Sequence, residues 1–221
     1  MNDSVIDKRR PPAPDTVIFD IGGVLIDWNP RYLYRQLFDD DAAMERFLAE
    51  VCSPEWNERQ DAGRPWDEAI ALLLEKFPDQ VSLIRAYRER WEEMLGGALH
   101  DTVAVLDALR RRGVRVFALT NWSHDTFVIA RKRYAFLQWF EDIVVSGTEG
   151  LIKPDPAIFR LLLERGRIDP ARAVYIDDTQ RHVDAAKSLG MRALQFRDAA
   201  SLCRELAAMG LLEPLSEDLT S

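Results

Sequence analysis

The amino-acid sequence predicts an α/β protein in which a doubly wound parallel sheet carries a small helical insert. Short runs of apolar and β-branched residues recur along the chain, as is typical of strands buried on both faces. Segments with helical periodicity lie between most of these runs. Strands that alternate with helices at this spacing predict a parallel sheet joined by right-handed crossovers. One long region in the first half of the chain contains helical patterns only, and it predicts the insert.

The first predicted strand is Val17-Ile18-Phe19, which ends at Asp20 and precedes the turn-forming pair Gly22-Gly23. Four further apolar runs predict the other strands, at residues 114–119, 143–145, 174–176 and 193–196. Three helices are predicted beside them, at residues 102–112, 156–165 and 182–189. Each of these helices stops at a glycine, the residue that best tolerates the left-handed backbone just after a helix.

Residues 32–99 show no segment with the pattern of a strand. Four segments in this part of the chain have helical patterns instead, at residues 31–38, 42–51, 66–76 and 83–94. We therefore expect a core built from residues 16–30 and 100–210, with residues 31–99 forming a small helical lobe over the sheet. Residues 1–15 predict a disordered, polar and proline-rich tail, and residues 211–221 a second tail.

Composition excludes several classes of protein. The chain of 221 residues has 29 basic and 37 acidic side chains, and a net charge of −8 argues against a nucleic-acid partner. No stretch approaches the roughly 20 apolar residues of a membrane helix, and the N-terminus lacks an apolar secretory core. Two cysteines cannot build a disulfide framework. We expect a cytoplasmic protein that does not bind membranes and is a monomer or a homodimer.

Polar residues follow several predicted strands at the point where each strand ends. Asp20 follows the first strand, Thr120-Asn121 the second and Asp177-Asp178 the fourth, while Lys153 lies in the segment after the third. Ligands of open parallel sheets bind at the carboxyl ends of the strands, so these groups are expected to converge. Three carboxylates in one place require a cation, and oxygen ligands suit Mg²⁺. These polar residues together predict a site in which Asp20 attacks a phosphoryl group and forms an aspartyl-phosphate.

These residues resemble the four motifs of the haloacid dehalogenase (HAD) superfamily. The motifs are Phe19-Asp20-Ile21-Gly22-Gly23-Val24-Leu25-Ile26-Asp27, then Leu119-Thr120-Asn121, Lys153-Pro154 and Ile176-Asp177-Asp178, in the order of that superfamily. The resemblance implies a Rossmann-like core, with the insert as a cap between the first two motifs, and a hydrolase.

The resemblance also implies roles for the residues in these motifs. Asp20 would be the nucleophile and a ligand of Mg²⁺, and the Gly22 carbonyl would be a second ligand. Thr120 and the Asn121 backbone would hold the phosphate, and Lys153 would balance charge. The doublet Asp177-Asp178 would complete the metal sphere, directly or through water.

One position departs from the pattern of the phosphatases in this superfamily. They usually carry a second aspartate two residues after the nucleophile, as general acid and base, whereas this chain has Gly22. Such assistance is typically worth ~10²–10⁴ in rate. Two alternatives to a phosphatase therefore stay open. One is a dehalogenase of 2-haloacids, which would need no metal, and the other is a catalytically weakened paralogue that binds a phosphorylated ligand.

The expected substrate is a small phosphorylated metabolite, such as a sugar phosphate or a nucleotide-like ester. Trp28, Trp56 and Trp122 are candidates for the wall that faces it, because the first and the last flank motif segments and Trp56 lies in the insert. The polar stretch from Trp56 to Arg64 is consistent with specificity contacts and equally with a solvated junction between a helix and a loop.

Overall fold

The structure is a computed structural model that describes residues 12–213. Its strands are β1 (Thr16–Phe19), β2 (Ile26–Trp28), β3 (Leu95–Ala98), β4 (Arg115–Thr120), β5 (Asp142–Val145), β6 (Ala173–Asp177) and β7 (Arg192–Gln195). Its α-helices are α1 (Arg31–Tyr34), α2 (Asp41–Glu50), α3 (Pro54–Asp61), α4 (Trp66–Lys76), α5 (Val81–Glu89), α6 (His100–Arg111), α7 (His124–Arg133), α8 (Ser146–Glu149), α9 (Pro156–Gly166), α10 (Gln180–Ser188) and α11 (Ala199–Ala208). Short 3₁₀ turns lie at Pro78–Gln80, Trp91–Met94, Ala135–Trp139 and Pro170–Arg172.

The predicted doubly wound sheet is confirmed. All five predicted strands form, and they pair in parallel in the order β5-β4-β1-β6-β7. Successive side chains of β1 enter different layers: Phe19 packs in the layer with α6 and α11, and Ile18 in the layer with α9 and α10. Helices therefore cover both faces of the sheet, which explains why its strands are apolar throughout rather than alternating.

The register of the sheet brings the polar strand ends together. Phe19 lies between Ala118 on β4 and Ile176 on β6, so the residues that follow these three positions leave the sheet at the same edge. Asp20 and Asp177 occupy two of those positions, and Thr120 ends β4 beside them. The central place of β1 thus determines which side chains meet.

The predicted helices of the insert are confirmed in part. Helix α4 has the predicted bounds, whereas α1 ends at Tyr34 and the segment predicted at 83–94 divides into α5 and the 3₁₀ turn Trp91–Met94. Helix α3 was not predicted as a helix. Six of its eight residues are charged or amide side chains, so it lacks an apolar stripe, but Ser53 caps it and Pro54 starts it.

The expectation of no strand in residues 32–99 is wrong. Strand β3 lies in that range and pairs with β2 in an antiparallel ribbon outside the main sheet. Its sequence, Leu95-Gly96-Gly97-Ala98, is poor in strand-forming residues. Glycine at position 96 leaves space for the side chain of Asp27, since an added Cβ would lie 2.2 Å from its Oδ2 and would force that side chain to move. Close packing thus explains Gly96, and the glycines in β3 are the reason why the sequence does not predict a strand here.

The described ends of the chain contact the core. Arg192 donates a hydrogen bond to the carbonyl of Pro12, the backbone N–H of Asp15 donates to the carbonyl of Arg172, and Leu211 is buried. The remainder of the predicted tails, residues 1–11 and 214–221, lies outside the described residues. Within the described range, every helix is too short or too polar to cross a bilayer.

Helix α8 approaches the loop after β4 without intervening side chains. The N–H of Gly147 donates to the carbonyl of Trp122 at 3.1 Å, and Oγ of Ser146 accepts from the N–H of Trp122 at 2.9 Å. A Cβ on Gly147 would lie 2.6 Å from the backbone nitrogen of His124 and 2.8 Å from the carbonyl oxygen of Trp122. This contact holds in place the loop that begins with Asn121.

Gly147→Ala should lower the free energy of unfolding by about 1–3 kcal/mol, because backbone atoms cannot move aside as a side chain can. Urea unfolding followed by circular dichroism measures this. Val128→Ala, a truncation at an exposed position of α7, is the control and should change stability by less than about 0.5 kcal/mol. Equal stability of the Gly147 variant and the parent would contradict this account of the contact.

Candidate active site

Lys153 lies at the centre of the predicted site and is fully buried. Its Nζ is 2.9 Å from Oδ2 of Asp20 and 2.7 Å from Oδ2 of Asp177. A buried ammonium needs such partners because it has lost its hydration. Burial favours the neutral amine, but the two carboxylates overcome this and raise the pKa of Lys153 above its ordinary value. The lysine is therefore a fixed positive charge between two acids.

The side chain of Asn121 holds the backbone of Lys153. Its Oδ1 accepts a hydrogen bond from the N–H of Lys153 at 2.9 Å, and its Nδ2 donates to the carbonyl of the same residue at 3.0 Å. Both ends of the amide are thus used within the protein. The sequence indicated the backbone of Asn121 as a phosphate ligand but not this use of its side chain.

Asp177 accepts hydrogen bonds from donors on every side. Oδ2 accepts from Lys153 and from the hydroxyl of Tyr175, and Oδ1 accepts from the N–H of Thr179 at 2.8 Å and lies 3.1 Å from Nδ1 of His182. Burial opposes its ionisation, but Lys153 and His182 hold the pKa of Asp177 well below its usual range. A carboxylate saturated in this way anchors the lysine and has little capacity left for a metal.

Asp20 is nine-tenths buried, and its pKa is shifted in the opposite direction from that of Asp177. Its Oδ1 accepts from the N–H of Ile21 at 2.7 Å, and its Oδ2 faces Lys153. Burial raises the pKa of Asp20 to about 7 against the attraction of Lys153, and the charges of Asp177 and Asp178 add to the rise. The three carboxylates exceed the one lysine by two charges, so a divalent cation would favour the ionised form of Asp20.

Asp178 is the more accessible acid of the doublet. It lies against the loop that carries Gly22, because a Cβ built on Gly23 would be 2.5 Å from its Oδ2. Burial and the charge of Asp177 raise the pKa of Asp178. Gly23 has a φ of +73°, so both its conformation and this close approach require glycine.

The residues fit a hard cation. Ligand atoms of Asp20, Asp177 and His182 lie within 4.8 Å of one another, but Asp177 is saturated by donors and is bonded to His182. The oxygens with remaining capacity belong to Asp20 and Asp178. Carboxylate oxygens are the ligands that Mg²⁺ prefers, and together they supply the charge that such an ion balances.

Two cavities with a partly shared lining include Asn121 and two residues that flank these acids in the chain, Gly22 and Thr179. The smaller, about 100 Å³, has aromatic and amide walls formed by Gly22, Trp28, Asn57, Asp61, Trp66, Trp91, Asn121, Trp122 and Thr126. The larger is a groove of about 670 Å³, which lies within the ordinary size of small-molecule pockets. Its walls share Trp28, Asn57, Asp61 and Asn121 with the smaller cavity and extend along α2 and α3 to Arg181.

The three tryptophans selected from the sequence occupy different places, and Trp122 lines the smaller cavity. Trp28 lines both cavities, and its buried Nε1 has no hydrogen-bond partner among the described residues. Trp56 lines neither. Its indole packs edge-on against Trp66 and Tyr87, and its Nε1 donates to the carbonyl of Ala69. The structure therefore puts Trp28 on the walls of both cavities and Trp56 in the interior of the insert.

Asp61 was not singled out by the sequence, although it lies within the polar stretch from Trp56 to Arg64. Its Oδ1 accepts from the N–H of Ser123 at 3.0 Å, and its Oδ2 accepts from Nδ2 of Asn57 at 2.9 Å. Burial raises the pKa of Asp61 to about 7, against the hydrogen bond from Ser123, and the charge of Glu58 contributes to the rise. Asn57 and Asp61 are four residues apart and therefore lie on one face of a helix, and this spacing is the sequence feature that could have identified Asp61.

The family model for haloacid dehalogenase-like hydrolases matches residues 14–190. The chain belongs to the haloacid dehalogenase-like hydrolases. The resemblance stated from the four motifs is confirmed, and the chain is a hydrolase with the core of that family.

Two curated relatives are phosphatases. A sesquiterpene phosphatase of Aspergillus oryzae is 27% identical over 86% of this chain and 93% of its own length. A phosphorylated carbohydrates phosphatase of Thermotoga maritima is 28% identical over 90% of this chain and 94% of its own length.

Solved structures share the fold at lower identity. A HAD family enzyme from Bacteroides thetaiotaomicron, in complex with magnesium and inorganic phosphate, has a TM-score of 0.62 at 22% identity and covers 83% of this chain and 94% of its own. An L-2-haloacid dehalogenase from Xanthobacter autotrophicus has a TM-score of 0.58 at 16% identity. The match covers 91% of this chain and 85% of the dehalogenase. Both chemistries therefore occur on this fold.

Lys153→Met should lower the free energy of unfolding by about 3–5 kcal/mol at pH 8 without added metal, because it leaves two buried carboxylates without their shared cation. Chemical unfolding measures this. Lys132→Met removes the charge of an exposed lysine and should change stability by less than about 0.5 kcal/mol. A loss below about 1 kcal/mol for Lys153→Met would mean that the lysine does not hold the site together.

Asp61→Asn should become more stable relative to the parent as the pH rises from 5 to 8. The folded parent has a raised pKa at Asp61, so it binds a proton more tightly than the unfolded chain and loses stability over this range. The asparagine variant lacks that loss. Urea unfolding at several pH values measures the difference.

Asp198→Asn is the matched control, because hydrogen bonds from Ser201 lower the pKa of Asp198 and keep it ionised throughout this range. Its stability difference from the parent should stay constant between pH 5 and 8. A constant difference for Asp61→Asn as well would contradict the raised pKa.

Proposed function

We propose that the protein is a Mg²⁺-dependent phosphatase that hydrolyses a small phosphorylated metabolite through an aspartyl-phosphate on Asp20. The observation that carries this proposal is the buried contact of Lys153 with Asp20 and Asp177, in a site where carboxylates outnumber cations. Such a site suits a divalent cation and a phosphoryl group together. The two phosphatase relatives support the same reaction class.

In this proposal, Asp20 attacks phosphorus with the oxygen of its ionised carboxylate. Lys153 orients that carboxylate and balances charge as the phosphoryl group arrives, while Asp177 keeps the lysine in position. Thr120 and the backbone of Asn121 hold the phosphoryl oxygens at the carboxyl end of β4. The side chain of Asn121 contributes by fixing the segment that carries Lys153.

Asp20, the carbonyl of Gly22 and Asp178 would hold Mg²⁺, and Asp177 would contribute through its hold on Lys153 or through water. When bound, the ion neutralises charge on the phosphoryl group and on Asp20. Support comes from the chemistry of the donor set and from the crystallised HAD family enzyme with magnesium and phosphate.

We propose that residues 31–99 act as a cap that selects the leaving group. Contacts between the insert and the core support this: Oδ1 of Asp61 accepts from the N–H of Ser123, and Arg181 of α10 pairs with Glu58 of α3 at 2.8 Å. The groove between them has polar and apolar walls and the size for a small metabolite. The unpaired Nε1 of Trp28 is a donor for a substrate oxygen. A sugar phosphate or a nucleotide-like ester has oxygen atoms that can accept a hydrogen bond from this N–H group.

A dehalogenase is the second candidate, because an L-2-haloacid dehalogenase shares the fold. That reaction would use Asp20 on carbon without a metal. The excess of negative charge at Asp20, Asp177 and Asp178 disfavours it, since the substrate is itself an anionic carboxylate. The third alternative, a catalytically weakened paralogue that binds a phosphorylated ligand, predicts no turnover. Assays of phosphate ester hydrolysis and of halide release therefore distinguish the phosphatase, the dehalogenase and the paralogue.

Asp20→Asn should reduce Mg²⁺-dependent hydrolysis of 4-nitrophenyl phosphate by at least roughly 10³-fold, because it removes the nucleophile. Chelation of the metal should suppress the parent activity to a similar level. Asp39→Asn, at an exposed position away from the cavities, should keep the parent rate. Release of 4-nitrophenolate measures all of these.

Two results would overturn the proposal. Hydrolysis by Asp20→Asn at the parent rate would exclude Asp20 as the nucleophile. Halide release from 2-chloropropionate by the parent in the presence of chelator, without phosphate ester hydrolysis, would establish the dehalogenase instead.

A further inference from the structure

The core has no acidic side chain at position 22, where the phosphatases that this chain resembles usually carry their general acid. Gly22 lines the small cavity but has no side chain, and no atom lies within 4 Å of the place where its Cβ would be. Lys153 is held by Asp20 and Asp177. An alkoxide leaves poorly unless it is protonated as the bond to phosphorus breaks, so an acid from elsewhere is needed.

Asp61 is the one carboxyl group that lines both the small cavity and the groove within the described part of the chain. Gly22 and Asn121 line the same small cavity. The cavity is small, about 100 Å³, and Oδ1 of Asp61 accepts a hydrogen bond at 3.0 Å from the N–H of Ser123, two residues after Asn121. A phosphoryl group near Asn121 would therefore bring its ester oxygen close to the carboxyl group of Asp61.

The surroundings of Asp61 suit a group that gives and takes a proton. Its carboxyl group is oriented by two neutral donors, the N–H of Ser123 and the amide of Asn57. The groups that set its pKa are Ser123, which lowers it, and Glu58, which raises it, with no cation among them. The pKa of about 7 lies where a general acid and base is most effective near neutral pH.

The position of Asp61 depends on contacts between the insert and the core. Oγ of Ser146 donates to the carbonyl of Asp61, and Nε1 of Trp66 donates to Oγ of Ser123 at 2.8 Å. These bonds join α3 to the start of α8 and α4 to the loop after β4. The carboxyl group is therefore held over the core by rigid elements although it belongs to the insert.

We propose that Asp61 is the general acid and base of the reaction, a role resting on the proposed phosphatase function. As the bond from phosphorus to the leaving oxygen breaks and the bond from Asp20 to phosphorus forms, the proton of Asp61 passes to the leaving oxygen and produces an alcohol. The Asp61 carboxylate then takes a proton from water as the water oxygen bonds to phosphorus. The bond from Asp20 to phosphorus breaks, phosphate leaves, and both acids return to their starting states.

The test compares phenyl, 4-nitrophenyl and 2,4-dinitrophenyl phosphates as substrates of Asp61→Asn. Asparagine keeps the shape of the side chain and an oxygen that can accept from Ser123, so the loop should keep its position. We expect kcat/KM for phenyl phosphate, which needs protonation, to fall by about 10²–10⁴-fold. The dinitrophenyl ester has a leaving group that departs unaided, so its kcat/KM should change by less than about tenfold.

Arg59→Gln is the matched control on the same helix, because Arg59 is exposed and lines neither cavity. It should leave all three rates near those of the parent. An equal loss for all three esters with Asp61→Asn would show that Asp61 acts in binding or structure, and no loss would show that it has no part in the reaction. Either result would overturn the role proposed for Asp61 while leaving the phosphatase intact.

The same series includes the parent and Asp20→Asn. Hydrolysis of none of the three esters by the parent would overturn the phosphatase and the role of Asp61 together. Hydrolysis by Asp20→Asn at the parent rate would have the same consequence. The failure of the underlying function is thereby distinguished from the failure of the assignment to Asp61.

Discussion

The arrangement of the site depends on one buried ammonium group. The sheet places β1 between β4 and β6, so Asp20 and Asp177 meet at one edge, and Lys153 lies between them with Nζ less than 3 Å from each. A lysine this deeply buried is tolerated only because both acids pair with it. Asn121 fixes its backbone, and Tyr175, Thr179 and His182 complete the partners of Asp177. The network leaves the three acids with excess negative charge, which favours a divalent cation.

The insert adds what the core lacks. The core supplies Lys153 and three acids, among them Asp20, the nucleophile of the proposed function, but Gly22 has no side chain that could donate a proton. Helix α3 brings Asp61 to the cavity wall, and the contact with Ser123 joins its carboxyl group to the loop that begins with Asn121. If the insert selects the leaving group and also protonates it, closing over the correct substrate would couple recognition to chemistry.

Much of the fold was predictable because buried parallel strands are apolar throughout and their helices end at glycines. The edge where Asp20, Thr120 and Asp177 meet followed from that topology alone. Strand β3 was missed because Gly96 and Gly97 were selected by space and backbone conformation rather than by strand propensity. Helix α3 was missed because six of its eight residues are polar and only Trp56 and Gln60 are buried, too few to form an apolar stripe.

Roles that depend on distant contacts had no local pattern to reveal them. Asp61 bonds to Ser123, which is 62 residues away, and the side chain of Asn121 bonds to Lys153, 32 residues away. The difference between Asp177 and Asp178, one saturated by donors and the other accessible, is also a property of packing. Adjacent aspartates look equivalent in a sequence.

The most direct test of the central claim is to trap the covalent intermediate. The parent protein, turning over 4-nitrophenyl phosphate with Mg²⁺, is quenched in acid, treated with borohydride and analysed by peptide mass spectrometry. An aspartyl-phosphate is reduced to homoserine, whereas a free aspartate is unchanged. The account predicts homoserine at position 20 and at no other aspartate. Conversion at another residue, or none during demonstrated turnover, would contradict it.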